Sequence, residues 1–480
     1  MRFWGIFHIL GWVILFVGLT MIPSLIFAWY DNEPDRMAWV YCVVSLILFG
    51  FFLKSYCSLS QELSYREGFC AVTFSWLGMA AVGAIPYSFS GVFPDIISPF
   101  FESTSGFTTT GATAIVDIEV LPRSILLWRS LTHWLGGMGV VVLSVCILPL
   151  LGVGGMQLFK AEAPGPSTDK LTPRIASTAK ILWRLYLFLT ALEVLLLYWC
   201  GMTLFDSFCH TFSTLATGGF STKNTSIIAY DNPLIEMVII IFMLFAGINF
   251  ALHYRFLRGN IKTYFQNSEF KFYVLILLMA FAVVTWNIYG SHYDSLQESA
   301  RFAAFQVVSI STTTGFITAD FNLWPSLSQA LLVALMMMGA SAGSTGGGFK
   351  VIRVIILIKY GLREVRRLVY PKALFQVKLK GNPVPRETLQ GVLGLFVVSV
   401  FVMIGATFVM SLFGMNILTA FTSVIACLWN IGPGLAQVGA IENYSAVPAL
   451  GKLFLSLCMI MGRLEIFTVI VLFSPDFWRK

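Results

Sequence analysis

The sequence predicts an all-α polytopic membrane protein, in which two leading helices precede four parallel copies of one unit: helix, half-helix, glycine-bearing loop, helix. Three observations lead there. Apolar residues fill 57% of the 480 positions and charged residues only 11%, well under the roughly 25% of charged residues usual in a soluble domain. The apolar residues are gathered into blocks near the ~20 residues that a bilayer span requires. Four shorter apolar pieces each run into a knot of small residues that contains glycine.

Taken in order, the first block, Trp4–Trp29, is too long for a signal-peptide core and ends without a small-residue cleavage site, so it reads as a retained helix. Met37–Leu53 completes the leading pair. Spanning blocks follow at Phe69–Phe89, Ile125–Leu151, Ile181–Cys200, Pro233–Leu252, Phe272–Tyr289, Leu327–Met338 with its continuation to Tyr360, Val392–Phe413 and Leu450–Phe473. Between them lie Pro94–Phe107, Phe205–Leu215, Glu298–Ile310 and Ile417–Asn430. Pieces of about 10 to 14 residues suit re-entrant half-helices better than spans. Each unit contains two full crossings, so every unit starts on the same side. The copies are therefore parallel and can surround a quasi-fourfold axis, unlike the inverted pairs of many secondary transporters. The expected divisions are 1–66 for the leading helices, then 67–165, 166–262, 263–380 and 381–480 for the repeats. Gly137, Gly247, Gly339 and Gly462 follow the knot glycines by 24 to 28 residues, which supports the register.

Basic residues orient the chain. One set of loops holds Lys160, Lys170, Arg174 and Lys180, then Arg255, Arg258, Lys262 and Lys271, then Arg363, Arg366, Arg367, Lys372, Lys378, Lys380 and Arg386, and finally Arg479 and Lys480. The opposite loops carry Arg36, Arg123 and Lys223. Positive-inside reasoning puts both termini in the cytoplasm and all four knots outside. Topology thus accounts for the net charge of +7 without a nucleic-acid partner. The eight cysteines contain no Cys-x-x-Cys pair and sit mostly as small apolar-block residues. Cys200 and Cys209, near one outer boundary, could pair.

The knots are Thr108-Thr109-Thr110-Gly111-Ala112, Ala216-Thr217-Gly218-Gly219-Phe220, Thr312-Thr313-Thr314-Gly315-Phe316 and Ile431-Gly432-Pro433-Gly434-Leu435. Glycine lets the backbone aim its carbonyl oxygens in one direction. Four such loops on one axis would replace the water around a cation with main-chain oxygens, which is a selectivity filter. The candidate ion ligands are Thr109, Thr110 and Gly111; Thr217, Gly218 and Gly219; Thr313, Thr314 and Gly315; and Gly432, Pro433 and Gly434. Each half-helix would point its negative C-terminal end at the cation. Pro433 makes the fourth loop stiffer and removes a donor. Asp117, Glu119, Asp231, Asp320 and Glu442 follow the knots. They read either as a ring that concentrates cations at an outer mouth or as ordinary solvated loop residues.

The third unit's second span contains Gly339, Gly343, Gly346, Gly347 and Gly348 within ten positions, each about 1 kcal/mol worse than alanine in a helix. The segment should leave the helix in mid-membrane and return at Phe349-Lys350. It is expected to form a gate under the filter, with a kink for close packing as the alternative. Gly348-Phe349-Lys350-Val351 lacks the Gly-Lys-Ser/Thr of a phosphate-binding loop. Arg463 lies thirteen residues into the last apolar block, where a charge needs a partner or a wet cavity. It is expected to reach the glycine segment or carbonyls below the filter, or else to pair with Glu193. Glu465, two residues away, lies on another helix face.

The four knots, the glycine-rich break and the Met461-Gly462-Arg463-Leu464-Glu465 run together resemble the Trk/Ktr/HKT superfamily of potassium transport proteins, over essentially the whole chain. The resemblance implies a pore folded from one chain like a potassium channel tetramer, with K+ as the transported ion and no cofactor. The family's filter glycines match Gly111, Gly219, Gly315 and Gly434. In some plant members serine replaces the first of these and accompanies sodium transport, so Gly111 favours potassium. The family's intramembrane gating loop corresponds to Gly339–Gly348 and its gate arginine to Arg463. It further implies a homodimer in the bacterial inner membrane and a cytoplasmic, nucleotide-binding TrkA-like regulatory subunit. This chain has no nucleotide-binding motif of its own.

An intramembrane enzyme would need a constellation that the chain lacks. It has five histidines, no His-Glu-x-x-His and no evident Ser/His/Asp grouping. His133 and His210 read as residues at helix boundaries. The remaining alternatives are a sodium-permeable pore and a symporter coupled to H+ or Na+, with Glu193 as its proton carrier.

Overall fold

A computed structural model describes residues 3–57, 64–146, 175–379 and 381–479. Lys160, Lys170, Arg174, the end of the Ile125–Leu151 block and the 165/166 division lie outside the described residues. Helices Phe3–Thr20 and Ile22–Tyr30, separated at Met21 just before Pro23, run against Arg36–Tyr56. The two arms of this helical hairpin cross where glycine faces glycine. A Cβ on Gly11 would lie 2.9 Å from the Gly50 carbonyl oxygen, and the reverse distance is also 2.9 Å. Small residues permit this backbone approach.

The unit then recurs. The outer helices are Tyr65–Gly83, Ile175–Trp199, Ser268–Ile288 and Arg386–Leu412; the half-helices are Ile97–Phe107, Leu204–Leu215, Leu296–Ser311 and Ile417–Leu428. Local chemistry starts several of them. Ser64 and Glu67 form a reciprocal capping box, and Thr203 and Asn416 accept from Asp206 N and Thr419 N at the starts of two half-helices. The half-helices are buried along most of their length, because each lies between two inner helices. The first packs on the fourth unit's inner helix, the second on the first's, the third on the second's and the fourth on the third's. That cyclic contact closes the bundle.

The outer helices instead face outward with Phe401, Phe408, Leu412 and Trp286 exposed. Such a surface suits lipid tails. Among the described residues, six helices are long and apolar enough to cross a bilayer, or eight if each of two sharply bent pairs is one span.

The sequence anticipated ten spanning blocks, the eighth of them broken at its glycine segment; two other inner helices bend where it placed no break. Pro233–Gly247 and Phe250–Leu257 meet at 102°, where the Asn249 side chain accepts from Ala251 N and starts a new helix. Ala449–Arg463 and Phe467–Phe473 meet at 113°, with Glu465 and Ile466 in left-handed backbone between them. The third inner helix is two pieces, Ser326–Met338 and Val351–Val369, on either side of the glycine segment. The first, Arg123–Cys146, carries buried Arg129 and His133. A short antiparallel pair, Lys378–Leu379 with Asn382–Pro383, precedes the fourth unit. Cys200 and Cys209 are both free thiols.

Candidate functional site: a ring of four loops

Every half-helix ends the same way. Thr109 N donates to Gly106 O at 3.0 Å and Thr110 N to Ser105 O at 2.8 Å. The pattern repeats with Thr217 and Gly218, with Thr313 and Thr314, and with Asn430 and Ile431, the last donating to Ala426 O at 2.8 Å. Thr109, Thr217, Thr313 and Asn430 all take left-handed backbone, with φ between 52° and 61°. Two residues later Gly111, Gly219, Gly315 and Gly432 do so again, at 81°, 78°, 80° and 102°.

This alignment corrects the fourth knot. Asn430, Ile431 and Gly432 stand where Thr109, Thr110 and Gly111 do, and Gly434 stands outside the register. Gly434 N donates to Val438 O at 2.7 Å, and the residue packs against Val438 and Thr422. Pro433 follows the turn and lies beside Gly315. Counting from the half-helix end would have found Asn430. The substitution of Asn for Thr hid it, because asparagine is one of the few other residues that tolerate left-handed backbone.

The glycines close the ring head to tail. A Cβ on Gly111 would overlap the Gly218 carbonyl oxygen, one on Gly219 that of Thr314, and one on Gly315 that of Ile431. One on Gly432 would stand 2.7 Å from the Thr110 oxygen. Loops 1, 2, 3 and 4 are therefore in cyclic contact through main chain, with no room for a side chain at four equivalent positions.

Polar groups brace the ring from behind. Thr108 and Thr110 hydroxyls lie 2.8 Å apart, as do those of Thr312 and Thr314. Asn430 Nδ2 donates to Thr110 Oγ1 and to Met459 O, each at 3.0 Å. Seven residues before each left-handed Thr stands a polar residue that ties down the chain leaving the ring. Glu102 accepts from Thr113 Oγ1 and Ala114 N, both at 2.9 Å. His210 Nε2 and Ser221 Oγ are 2.9 Å apart, and Gln306 Nε2 donates to Thr318 Oγ1 at 3.4 Å. Glu102 is buried and paired with Arg129 at 2.7 Å; Arg129 Nη1 also donates to Ser221 O at 2.8 Å. His133 and His210, anticipated at helix boundaries, are both buried behind the second loop. They are buried because inner helix 1 and the second half-helix pack on each other there.

Beyond the ring a cleft opens, lined by Gly111, Gly219, Gly315 and Gly432 together with Lys223 and Glu442. The five loop carboxylates do not encircle it. Asp117 accepts from Asn224 Nδ2, Glu119 pairs with Lys223, Asp231 pairs with Arg301, and Asp320 caps Asn322 N. Of these five, Glu442 alone lines the cleft.

On the other side of the ring lies the glycine segment. Gly339, Gly343, Gly348 and Lys350 all have positive φ. Ser341 N donates to Gly247 O at 3.0 Å, Gly347 N to Thr313 Oγ1 at 2.7 Å and Gly348 N to Trp429 O at 3.1 Å. The segment thus touches the bent second inner helix, the third loop and the end of the fourth half-helix. A Cβ on Gly346 would stand 2.9 Å from Thr312 O. Gly339 packs on Gly347 and Gly348 within the segment and does not reach a half-helix end as Gly137 and Gly462 do. Lys350 Nζ donates to Gly346 O. Arg463 Nη1 donates to Thr345 O at 2.9 Å, while its Nε and Nη2 have no partner among the described residues. Glu193 is buried with no hydrogen-bond partner there and does not pair with Arg463. Glu465 pairs with Arg353 at 2.6 Å. Among the described residues, no cluster of three or more His, Cys, Asp or Glu could hold a metal ion.

The family model TrkH, a cation transport protein, matches residues 36–480. The chain belongs to the TrkH family. It is 42% identical to the Trk system potassium uptake protein TrkH of Salmonella typhimurium, across 100% of both chains. It is 34% identical to the Trk system potassium uptake protein TrkG of Escherichia coli, across 98% of both. The crystal structure of the potassium transporter TrkH from Vibrio parahaemolyticus superposes with a TM-score of 0.92 at 36% identity, covering 100% of each chain. TrkH membership accords with the all-α polytopic fold and makes this a transport protein of the membrane.

Proposed function

We propose that this chain takes up potassium through the axis of the four-loop ring. The observation that carries the reading is the head-to-tail closure in which Gly111, Gly219, Gly315 and Gly432 each abut the carbonyl of the next loop. Such a ring presents equivalent main-chain oxygens to an ion and holds no fixed charge that would trap it. The four helix–half-helix–loop–helix stretches act as one pore domain each, behind the leading hairpin. The glycine segment between Gly339 and Lys350, locked by Arg463, is the barrier below the filter. Family membership and the loop charges favour a bacterial inner membrane location with cytoplasmic termini, a homodimer, and regulation by a cytoplasmic nucleotide-binding subunit of the TrkA kind.

The test is ion flux into liposomes with K+, Rb+ and Na+. Gly111→Ser and Gly432→Ser should both lower the K+/Na+ ratio, whereas Gly434→Ser should leave it near the wild-type value. Equal effects at 432 and 434, or an unchanged ratio at 432, would overturn the assignment.

A further inference from the structure

Behind three of the four loops, the residue that precedes the ring glycine carries its own side chain: Thr110, Thr314 and Ile431. The fourth is Gly218, and its bareness is not required by its own backbone. Gly218 is absent from the positive-φ glycines, so an L side chain is sterically allowed there. What excludes one is His133, which reaches across from the first unit's inner helix. A Cβ on Gly218 would lie 2.6 Å from both Cε1 and Cγ of that imidazole.

The ring of His133 is fully buried. It stacks on Phe220, the residue after the ring glycine, with centroids 4.0 Å apart and planes 16° from parallel. Its Nδ1 lies 3.2 Å from Ser213 Oγ, on the half-helix that leads into the same loop. Arg129, one helical turn earlier, lies over the same Phe220 at 3.7 Å. The second loop is thus propped from outside its own unit. In loops 1 and 3 a threonine–threonine hydroxyl pair fills the corresponding position; in loop 2 Ala216 and Gly218 supply no such pair.

Resting on the filter reading above, we propose that His133 is a positioning residue for ion selectivity. It substitutes for the missing side chain of the second loop and sets the place of the Gly218 carbonyl, so that His133 and Gly218 are a matched pair. Carbonyl placement governs which cation is well coordinated, and groups in contact couple energetically while distant ones add.

The test uses the full-length protein in liposomes with His133→Ala, Gly218→Thr and the double variant, alongside Gly432→Ser as a filter control. Elution profile and melting temperature in detergent check folding. His133→Ala should fold and lose K+/Na+ preference, because a cavity behind the loop lets its carbonyl relax. Gly218→Thr alone should lose roughly tenfold in K+ flux, and the double variant should recover most of it, as expected of coupled neighbours. If Gly218→Thr alone yields no monodisperse protein, recovery of folding in the double variant supports the pairing, and failure to recover overturns it. A double variant equal to the product of the singles, or a His133→Ala protein with wild-type selectivity, also overturns it. If Gly432→Ser left selectivity unchanged, the filter itself would be misassigned. Altered selectivity at 432 with none at 133 would reject only the role of His133.

Discussion

Arg463 donates from Nη1 to the carbonyl of Thr345, 2.9 Å away, and so ties the bend of the last inner helix to the glycine segment of the third. The two residues are far apart in sequence and come from different units. Hydrogen bonds to charged groups contribute about 1.5–3 kcal/mol. Removing this one should loosen the segment and, on the proposed function, also remove a positive charge from the ion's route. Arg463→Ala is therefore expected to raise basal K+ flux roughly tenfold without a regulatory partner, since 1.4 kcal/mol is about one decade. Flux assays in proteoliposomes check this. A well-folded variant with no flux would show that the arginine does not act as a barrier.

The Glu102–Arg129 pair should behave as a buried structural brace. Removing one partner of such a pair leaves an uncompensated charge and costs about 3–5 kcal/mol. Arg129→Met is expected to lower the melting temperature sharply, and Glu102→Gln/Arg129→Met to recover much of the loss. The double variant should still be impaired in selectivity, because the tie from Arg129 to Ser221 O is gone. Melting curves in detergent, read beside K+/Na+ flux, separate the two effects. Additive losses in stability would mean that the two side chains are not coupled.

Charge at the cleft should matter at one carboxylate. Glu442→Gln is expected to reduce K+ flux about twofold in dilute salt, with the difference fading near 1 M ionic strength, where the Debye length falls to about 3 Å. Asp117→Asn and Asp231→Asn should leave low-salt flux unchanged, since Asp117 is engaged with Asn224 and Asp231 with Arg301. The measurement is initial flux against ionic strength for the three variants. A larger effect at Asp117 than at Glu442 would restore the idea of a charged ring.

How much of this was legible in the chain differs by element. The short apolar pieces that become half-helices stood out, because each is too brief to span and ends in a small-residue turn. The break at Gly339–Gly348 was legible too, because five glycines cannot persist as a helix in mid-bundle. The fourth loop was misregistered. Composition points to Gly-Pro-Gly, while the geometry that matters is a left-handed residue followed two positions later by a left-handed glycine, and Asn430 met the first requirement without resembling threonine. The bends after Gly247 and Arg463 were also missed. Apolar character continues through both, and what breaks the helix is a cap from Asn249 in one case and left-handed Glu465 and Ile466 in the other.

By itself the sequence determined a membrane-embedded helical chain with a fourfold internal pattern, because hydropathy and helix-breaking glycine act over a few neighbouring residues and can be read along one strand. Only the tertiary structure decided that Gly432 completes the ring, that His133 takes the space beside Gly218, and that Arg463 meets Thr345. Those relations join residues from different units, and their energy lies in close approach between neighbouring units, which no local periodicity records.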